Sequence, residues 1–275
     1  MGSIQNSMSI GAVCRTNRPF PPRLRIVRAV TGAEIAVVLG ASLLGAFVKS
    51  VTGMGYPLLA VPLIALALGI EDAVVIVSGP NAVANFALCW QARGGRSDTR
   101  DLPVLVGTSF LGAFLGTFLL VTLPEDPLLI VLAVTIVVFV VNFLRSPELR
   151  LREETTRRWS PVVGSLAGVM QGALGVSGPV VGAWMHGYRL TSQAYVFSVT
   201  LIFGVAGSVQ LVLLAASGRY TGERLGVSVL ALIPVLLMIP VGMRSRTRLG
   251  GRGFDLAVLG VLLASGAALV LRVLG

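Results

Sequence analysis

The sequence predicts an all-α polytopic membrane protein of two homologous repeats, inverted relative to each other. Each repeat is a broken re-entrant helix pair followed by three transmembrane helices. Three observations lead there. The 275-residue chain is 55% hydrophobic and only 12% charged, with a mean hydropathy of +0.86, whereas a soluble domain carries about 25% charged residues. Its apolar residues fall into many runs separated by short arginine-bearing stretches, the pattern of a helical bundle in lipid rather than of a membrane barrel. Two of those breaks carry glycine and proline at matching places, 122 residues apart.

The elements follow in chain order. Residues 1–30 contain Arg15, Arg18, Arg23, Arg25 and Arg28, no acid, and the cluster "RPFPPR". Lacking the continuous apolar stretch of a signal peptide, they read as a disordered basic arm, with a transit peptide or a misplaced start codon as the alternatives. Residues 31–144 form the first transmembrane repeat, with apolar runs at 33–52, 58–70, 71–91, 102–123 and 127–144. Residues 145–160 read as a basic cytoplasmic loop. The second repeat, 161–275, has runs at 161–174, 180–190, 191–215, 225–243 and 254–274.

"GMGYP" (53–57) splits the first pair and "GVSGP" (175–179) splits the second. At the offset, Gly53 falls on Gly175, Pro57 on Pro179, Leu44 on Leu166, Val74 on Val196, Val83 on Val205 and Ala84 on Ala206. Agreement of glycine and proline at both breaks carries the repeat. At ~1.5 Å per residue, residues 31–70 would make about 60 Å of helix, twice a hydrocarbon core of ~30 Å. Residues 161–190 would make about 45 Å, too long for one crossing and too short for two. Length therefore favours hairpins. The arginines do not choose: hairpins put thirteen inside and eight outside, single crossings sixteen and five.

A doubled break has a chemical reading. Irregular backbone inside a membrane persists where protein or a water-filled cavity satisfies it, and matched breaks in two halves point to a transporter's binding site. Pro57 and Pro179 each stand where a new helix starts. The amides of Leu58, Leu59 and Ala60, and of Val180, Val181 and Gly182, are the expected free donors at a positive helix end. Gly53, Gly55, Gly175 and Gly178 admit a ligand close to the backbone. Two such helix ends facing one cavity would hold an anion.

The charges agree. All twelve acidic residues lie at run ends or in loops, so no carboxylate marks a cation pathway. Lys49 is the only lysine; it reads either as a counter-charge for the anion or as a side chain snorkelling to the interface. Gln171 stands at its offset position. Ser78, Asn81 and Asn85, and Ser198, Thr200 and Gln210, are the polar residues that follow the breaks. Ser78 and Asn81 flank a second Gly-Pro interruption, at Gly79-Pro80. The expected anion contacts are Lys49, Gly53, Gly55, Tyr56, Pro57, Ser78, Asn81, Gln171, Gly175, Ser177, Gly178, Pro179 and Thr200. Gly112/Gly116 and Gly164/Gly168/Gly172 read as close helix packing. Two cysteines are too few for a disulfide framework or a metal site, and no cofactor is expected. The net charge of +10 reads as orientation and contact with anionic lipid rather than nucleic-acid binding.

The stretches "GAFVKSVTGMGYPLLAVPLIALALGIEDAVVIVS" (45–78) and "LAGVMQGALGVSGPVVGAWMHGYRLTSQAYVFSVT" (166–200) resemble the sulfite exporter TauE/SafE family of bacterial membrane transporters. In that family two related halves each carry a glycine-rich break, a proline and a further helix. The resemblance covers nearly everything after residue 33. It implies a multi-pass protein of the bacterial cytoplasmic membrane, not an enzyme, moving sulfite, organosulfonates or other small organic anions. No nucleotide-binding loop is present, so the energy would come from a gradient; proton and sodium coupling both stay open. A passive anion channel is the main alternative.

"GVSG" also matches the Gly-x-Ser-Gly motif of intramembrane serine proteases. The only histidine, His186, follows Ser177 by nine residues, about 13 Å along a helix, against the ~3 Å that a nucleophile–base pair needs. Ser177 is instead expected to cap the half-helix or to donate to the ligand, and His186 to lie near the interface.

Overall fold

The structure is a computed structural model that describes residues 30–52, 54–145, 151–249 and 252–274; residues 1–29 of the expected arm, and Gly53, lie outside them. The described residues form ten α-helices and no strand: α1 (Gly32–Thr52), α2 (Tyr56–Leu68), α3 (Ile70–Gln91), α4 (Leu102–Thr122), α5 (Glu125–Arg145), α6 (Glu153–Leu174), α7 (Gly178–His186), α8 (Ser192–Ala216), α9 (Gly222–Leu249) and α10 (Arg252–Leu274). A 3-10 segment, Arg93–Asp98, joins α3 to α4. Among the described residues, seven helices are long and apolar enough to cross a membrane: α1, α3, α4, α5, α8, α9 and α10.

Both expected breaks are present, at 54–55 and 175–177. The starts of α2 and α7, and of α3 and α8, are each 122 residues apart. Two expectations are corrected. Helix α6 begins at Glu153 rather than at residue 161, so it takes over the end of the loop expected at 145–160. Glu153 and Glu154 occupy its first turn, where carboxylates suit the positive helix end. The Gly79-Pro80 interruption is no break: α3 runs straight through it. Proline removes the N–H that would reach the Ile76 carbonyl four residues back, and the Ser228 hydroxyl of α9 donates to that carbonyl instead, at 2.9 Å. A neighbouring hydroxyl thus satisfies the freed group.

Each hairpin returns to the end from which it started. The Val30 N–H, just before α1, donates to the Glu223 carboxylate. Just after α2, Glu71 pairs with Arg219 and Arg224 at 3.0 and 3.1 Å, and Asp72 pairs with Arg224. One short stretch, 219–224, therefore holds both entry and exit of α1–α2. For α6–α7 the closure is direct: the Leu151 N–H donates to the Gly187 carbonyl at 3.0 Å. That second junction lies beside the start of α4, where the Tyr188 hydroxyl donates to Asp101 Oδ2 at 3.1 Å and Arg100 pairs with Glu153 at 3.4 Å. Helix α3 leads from Glu71 to the Arg100 region, so the hairpins open at opposite ends of α3.

Their depths are complementary. Helix α2 has 13 residues and α7 has nine, about 20 and about 13 Å at ~1.5 Å per residue. The sum matches the 22-residue α3, at about 33 Å. Two half-helices entering from opposite ends thus meet partway.

The packing is symmetric under exchange of halves. Helices α4 and α6 pair as α9 and α1 do, α4 meets α8 as α9 meets α3, and α3–α8 and α5–α10 pair across the middle. Helix α3 is the most buried span. At the α4–α6 crossing the expected glycines bring backbone against backbone. A Cβ on Gly172 would lie 2.6 Å from the Thr117 nitrogen, and one on Gly112 3.0 Å from the Val169 nitrogen; Gly116, Gly164 and Gly168 are equally tight. Small residues in one stripe permit this approach. The opposite face of α4 exposes Phe110, Leu111, Phe114, Leu115 and Phe118, a surface suited to lipid.

Candidate functional site

The two breaks are made by backbone conformation. Gly55 has φ +115 and Gly175 has φ +70, in the left-handed region where a Cβ is penalised. Pro57 and Pro179 then take the second position of α2 and α7, not the first, which moves the unpaired amides. The Leu59 and Val181 N–H groups donate to the Gly55 and Ser177 carbonyls, each at 3.1 Å, and Ala60 and Gly182 follow inside the helices. The amides without an intrahelical acceptor are those of Gly55, Tyr56 and Leu58, and of Ser177, Gly178 and Val180. Neither helix start has a side-chain cap. The expected capping by Ser177 is therefore corrected: its hydroxyl donates to Gln171 Oε1 at 2.9 Å. Gln171 Nε2 in turn donates to the Gly175 carbonyl at 3.1 Å, and so braces the second break from within.

Lys49 does not snorkel. It is 2% exposed, and its ammonium donates to Asn81 Oδ1 at 3.0 Å and Asn85 Oδ1 at 2.5 Å. Asn85 Nδ2 donates to Asn81 Oδ1 at 3.3 Å, which orients the pair. Among the described residues no carboxylate pairs with Lys49. A buried ammonium held by neutral amides is a group that lacks its counter-charge.

A small cavity joins these parts. Lys49, Gly55, Pro57 and Leu58 of the first hairpin, Asn81 of α3, Gln171, Val176, Ser177 and Gly178 of the second hairpin and Phe203 of α8 line it. Its volume is about 10 Å³, room for about one water. The polar side chains on its wall, Lys49, Asn81, Gln171 and Ser177, are all buried.

Seven expected contacts thus line one cavity: Lys49, Gly55, Pro57, Asn81, Gln171, Ser177 and Gly178. Gly175 and Pro179 shape the second break without lining it. Tyr56 is fully buried, its hydroxyl 3.3 Å from Ser42 Oγ, so it ties α2 to α1. Ser78 donates to the Val75 carbonyl at 2.9 Å and sits 2.5 Å from the Tyr220 hydroxyl, near the Glu71 end. Burial pushes the Tyr220 phenol up, so it stays a hydroxyl and donates to the Val75 carbonyl at 2.7 Å. Thr200 turns back onto its own helix, donating to the Val196 carbonyl at 2.6 Å. These three residues are corrected out of the cavity, because each hydroxyl finds a nearer partner. Leu58, Asn85, Val176 and Phe203 enter the site beyond the expected contacts. The four-residue spacing from Asn81 is a signal for Asn85, and Phe203 is the residue that falls on Asn81 at the 122-residue offset.

His186 is exposed at the far end of α7, with its ring centroid 5.2 Å from that of Tyr195. Ser177 and His186 are not paired, and the hydroxyl that would attack is engaged by Gln171.

A bundle of membrane-length helices, interrupted by two opposed half-helices around a buried cation, is a membrane protein of the transporter class. The chain belongs to the sulfite exporter TauE/SafE family, whose sequence profile matches residues 38–269. No curated protein and no solved structure gives a significant match.

Proposed function

We propose that this chain is a secondary transporter that moves a small anion, such as sulfite, an organosulfonate or a similar organic anion, across a bacterial cytoplasmic membrane. The anion binds between the hairpin tips, beside Lys49 and the unpaired amides of α2 and α7. One observation carries this reading: a buried Lys49 ammonium that donates to the amide oxygens of Asn81 and Asn85, on the wall of a cavity that the starts of α2 and α7 share. Lys49 supplies the charge, and the peptide N–H groups supply directed donors that need no desolvated side chain.

The cavity's small volume, about 10 Å³, favours a carrier over a passive channel, since a sulfite-sized anion enters only when the surrounding hairpins separate. The opposed hairpins and the exchange symmetry support an inverted-repeat arrangement, with access alternating as one half moves against the other. Arg93, Arg96, Arg100, Arg152 and Arg189 gather at the Arg100 end, which the positive-inside rule makes cytoplasmic. Lipid covers the apolar outer faces, and coupling to protons or sodium follows from neither hairpin.

Proteoliposomes carrying the purified chain test the proposal. Labelled sulfite should enter by saturable counterflow against unlabelled sulfite inside. Unsaturated flux with single-channel currents would assign a channel, and no sulfite flux at all would remove the assignment.

A further inference from the structure

We infer that the anion travels between the central cavity and the Arg100 end along a track between α7 and α8. Met54 closes that track, and the Tyr195 hydroxyl is its polar waypoint. The inference rests on the transporter reading, but its own observations lie outside the cavity.

Helices α7 and α8 pack together. Gly178 of α7 and Phe203 of α8 both line the cavity. Steps of four residues from each lead away along one face: Gly178, Gly182 and His186 on α7, and Phe203, Val199 and Tyr195 on α8. The two stripes run antiparallel. They finish together where the rings of His186 and Tyr195 meet, and His186 is exposed there.

Midway, Gly182 forms a notch. A Cβ at that position would lie 2.9 Å from Met54 Sδ, 3.0 Å from Met54 Cε and 3.8 Å from the Tyr195 hydroxyl. Met54 belongs to the non-helical tip of the first hairpin, next to Gly55 of the cavity wall. The thioether of one hairpin is thus seated on the bare backbone of the other. An unbranched methionine can leave that seat by rotating bonds that cost little. Movement of the first tip as an anion docks at Lys49 would carry Met54 with it.

The Tyr195 hydroxyl gives the track its chemistry. It is buried and has no hydrogen-bond partner among the described residues. A buried hydroxyl left unpaired is costly to keep. Beside the Met54 plug it is a donor for an anion in transit, between the Lys49 site and the exposed imidazole at the mouth.

Two measurements on the full chain in proteoliposomes test this. In a background with Cys14→Ser and Cys89→Ala, Tyr195→Cys should react slowly with a membrane-impermeant methanethiosulfonate. Adding Met54→Ala should speed that reaction at least about tenfold; an unchanged rate overturns the track. Separately, Tyr195→Phe keeps the ring and removes only the hydroxyl. It should cut the maximal rate of sulfite transport at least about fivefold while sulfite affinity in detergent stays within about twofold. Unchanged transport, or an equal loss of affinity, overturns the waypoint. If the unaltered chain binds no sulfite, the transporter reading fails by itself, and the labelling contrast still decides whether Met54 closes a track.

Discussion

Transferring the buried positive charge from one hairpin tip to the other separates an electrostatic role for Lys49 from a structural one. Lys49→Gln removes the charge but leaves an N–H donor for Asn81 Oδ1 or Asn85 Oδ1, the two acceptors the ammonium now uses. A unit anion ~4 Å from the ammonium is stabilised by about 4 kcal/mol at an effective dielectric of ~20. If water entering with the anion halves that, about 2 kcal/mol remains, roughly thirtyfold in Kd. Isothermal titration of the purified chain with sulfite should therefore show at least about a thirtyfold loss. Thermal unfolding in detergent should stay close to that of the parent. Adding Gln171→Lys places an ammonium at the equivalent position of the second hairpin, on the wall of the same cavity. The double variant should recover about tenfold of the loss, although it gives up the Gln171 brace on Ser177 and Gly175. A folded Lys49→Gln protein that binds sulfite within about threefold of the parent would refute the argument. So would a folded double variant no better than the single one, since charge at the tip would then not be what the site requires.

Two further outcomes concern the scaffold. Gly168→Ala drives a methyl into the Ser109 backbone, with the Ser109 carbonyl carbon 2.8 Å away, and should cost about 1–3 kcal/mol. Gly107→Ala, on the same pair of helices but with nothing within 4 Å, should be neutral or stabilising by up to about 1 kcal/mol; circular dichroism melts in detergent would show equal effects if the crossing is not backbone on backbone. Ser228→Ala should cost about 1 kcal/mol by stranding the Ile76 carbonyl. In a Pro80→Ala background the restored amide would satisfy that carbonyl, so the cost should fall toward zero, and strictly additive losses in a double-mutant cycle would rule the compensation out.

Much of the candidate site is legible in the sequence, but unevenly. Lys49, Gln171 and the glycines and prolines of the breaks stand out because each is an odd residue in an apolar run. Tyr56, Ser78 and Thr200 stand out for the same reason and nevertheless point elsewhere, since a hydroxyl in a helix is satisfied by the nearest carbonyl or neighbouring hydroxyl. Phe203 sits in an apolar helix where nothing local distinguishes it, and only its place 122 residues after Asn81 marks it. The length of α6 was hidden too: charged residues ahead of Pro161 look like a loop, yet as a helical first turn they suit the dipole.

The sequence by itself determined the helices, the two interruptions and their 122-residue repeat, because apolar length, missing amides and permissive glycines act within a few residues of where they are written. Only the tertiary structure decided that both interruptions share one cavity, that Asn81 and Asn85 hold the lysine from another helix, and that Met54 lies on Gly182. Those pairings join residues 32 to 128 positions apart, and such partners are selected by how helices pack rather than by any local preference of the chain.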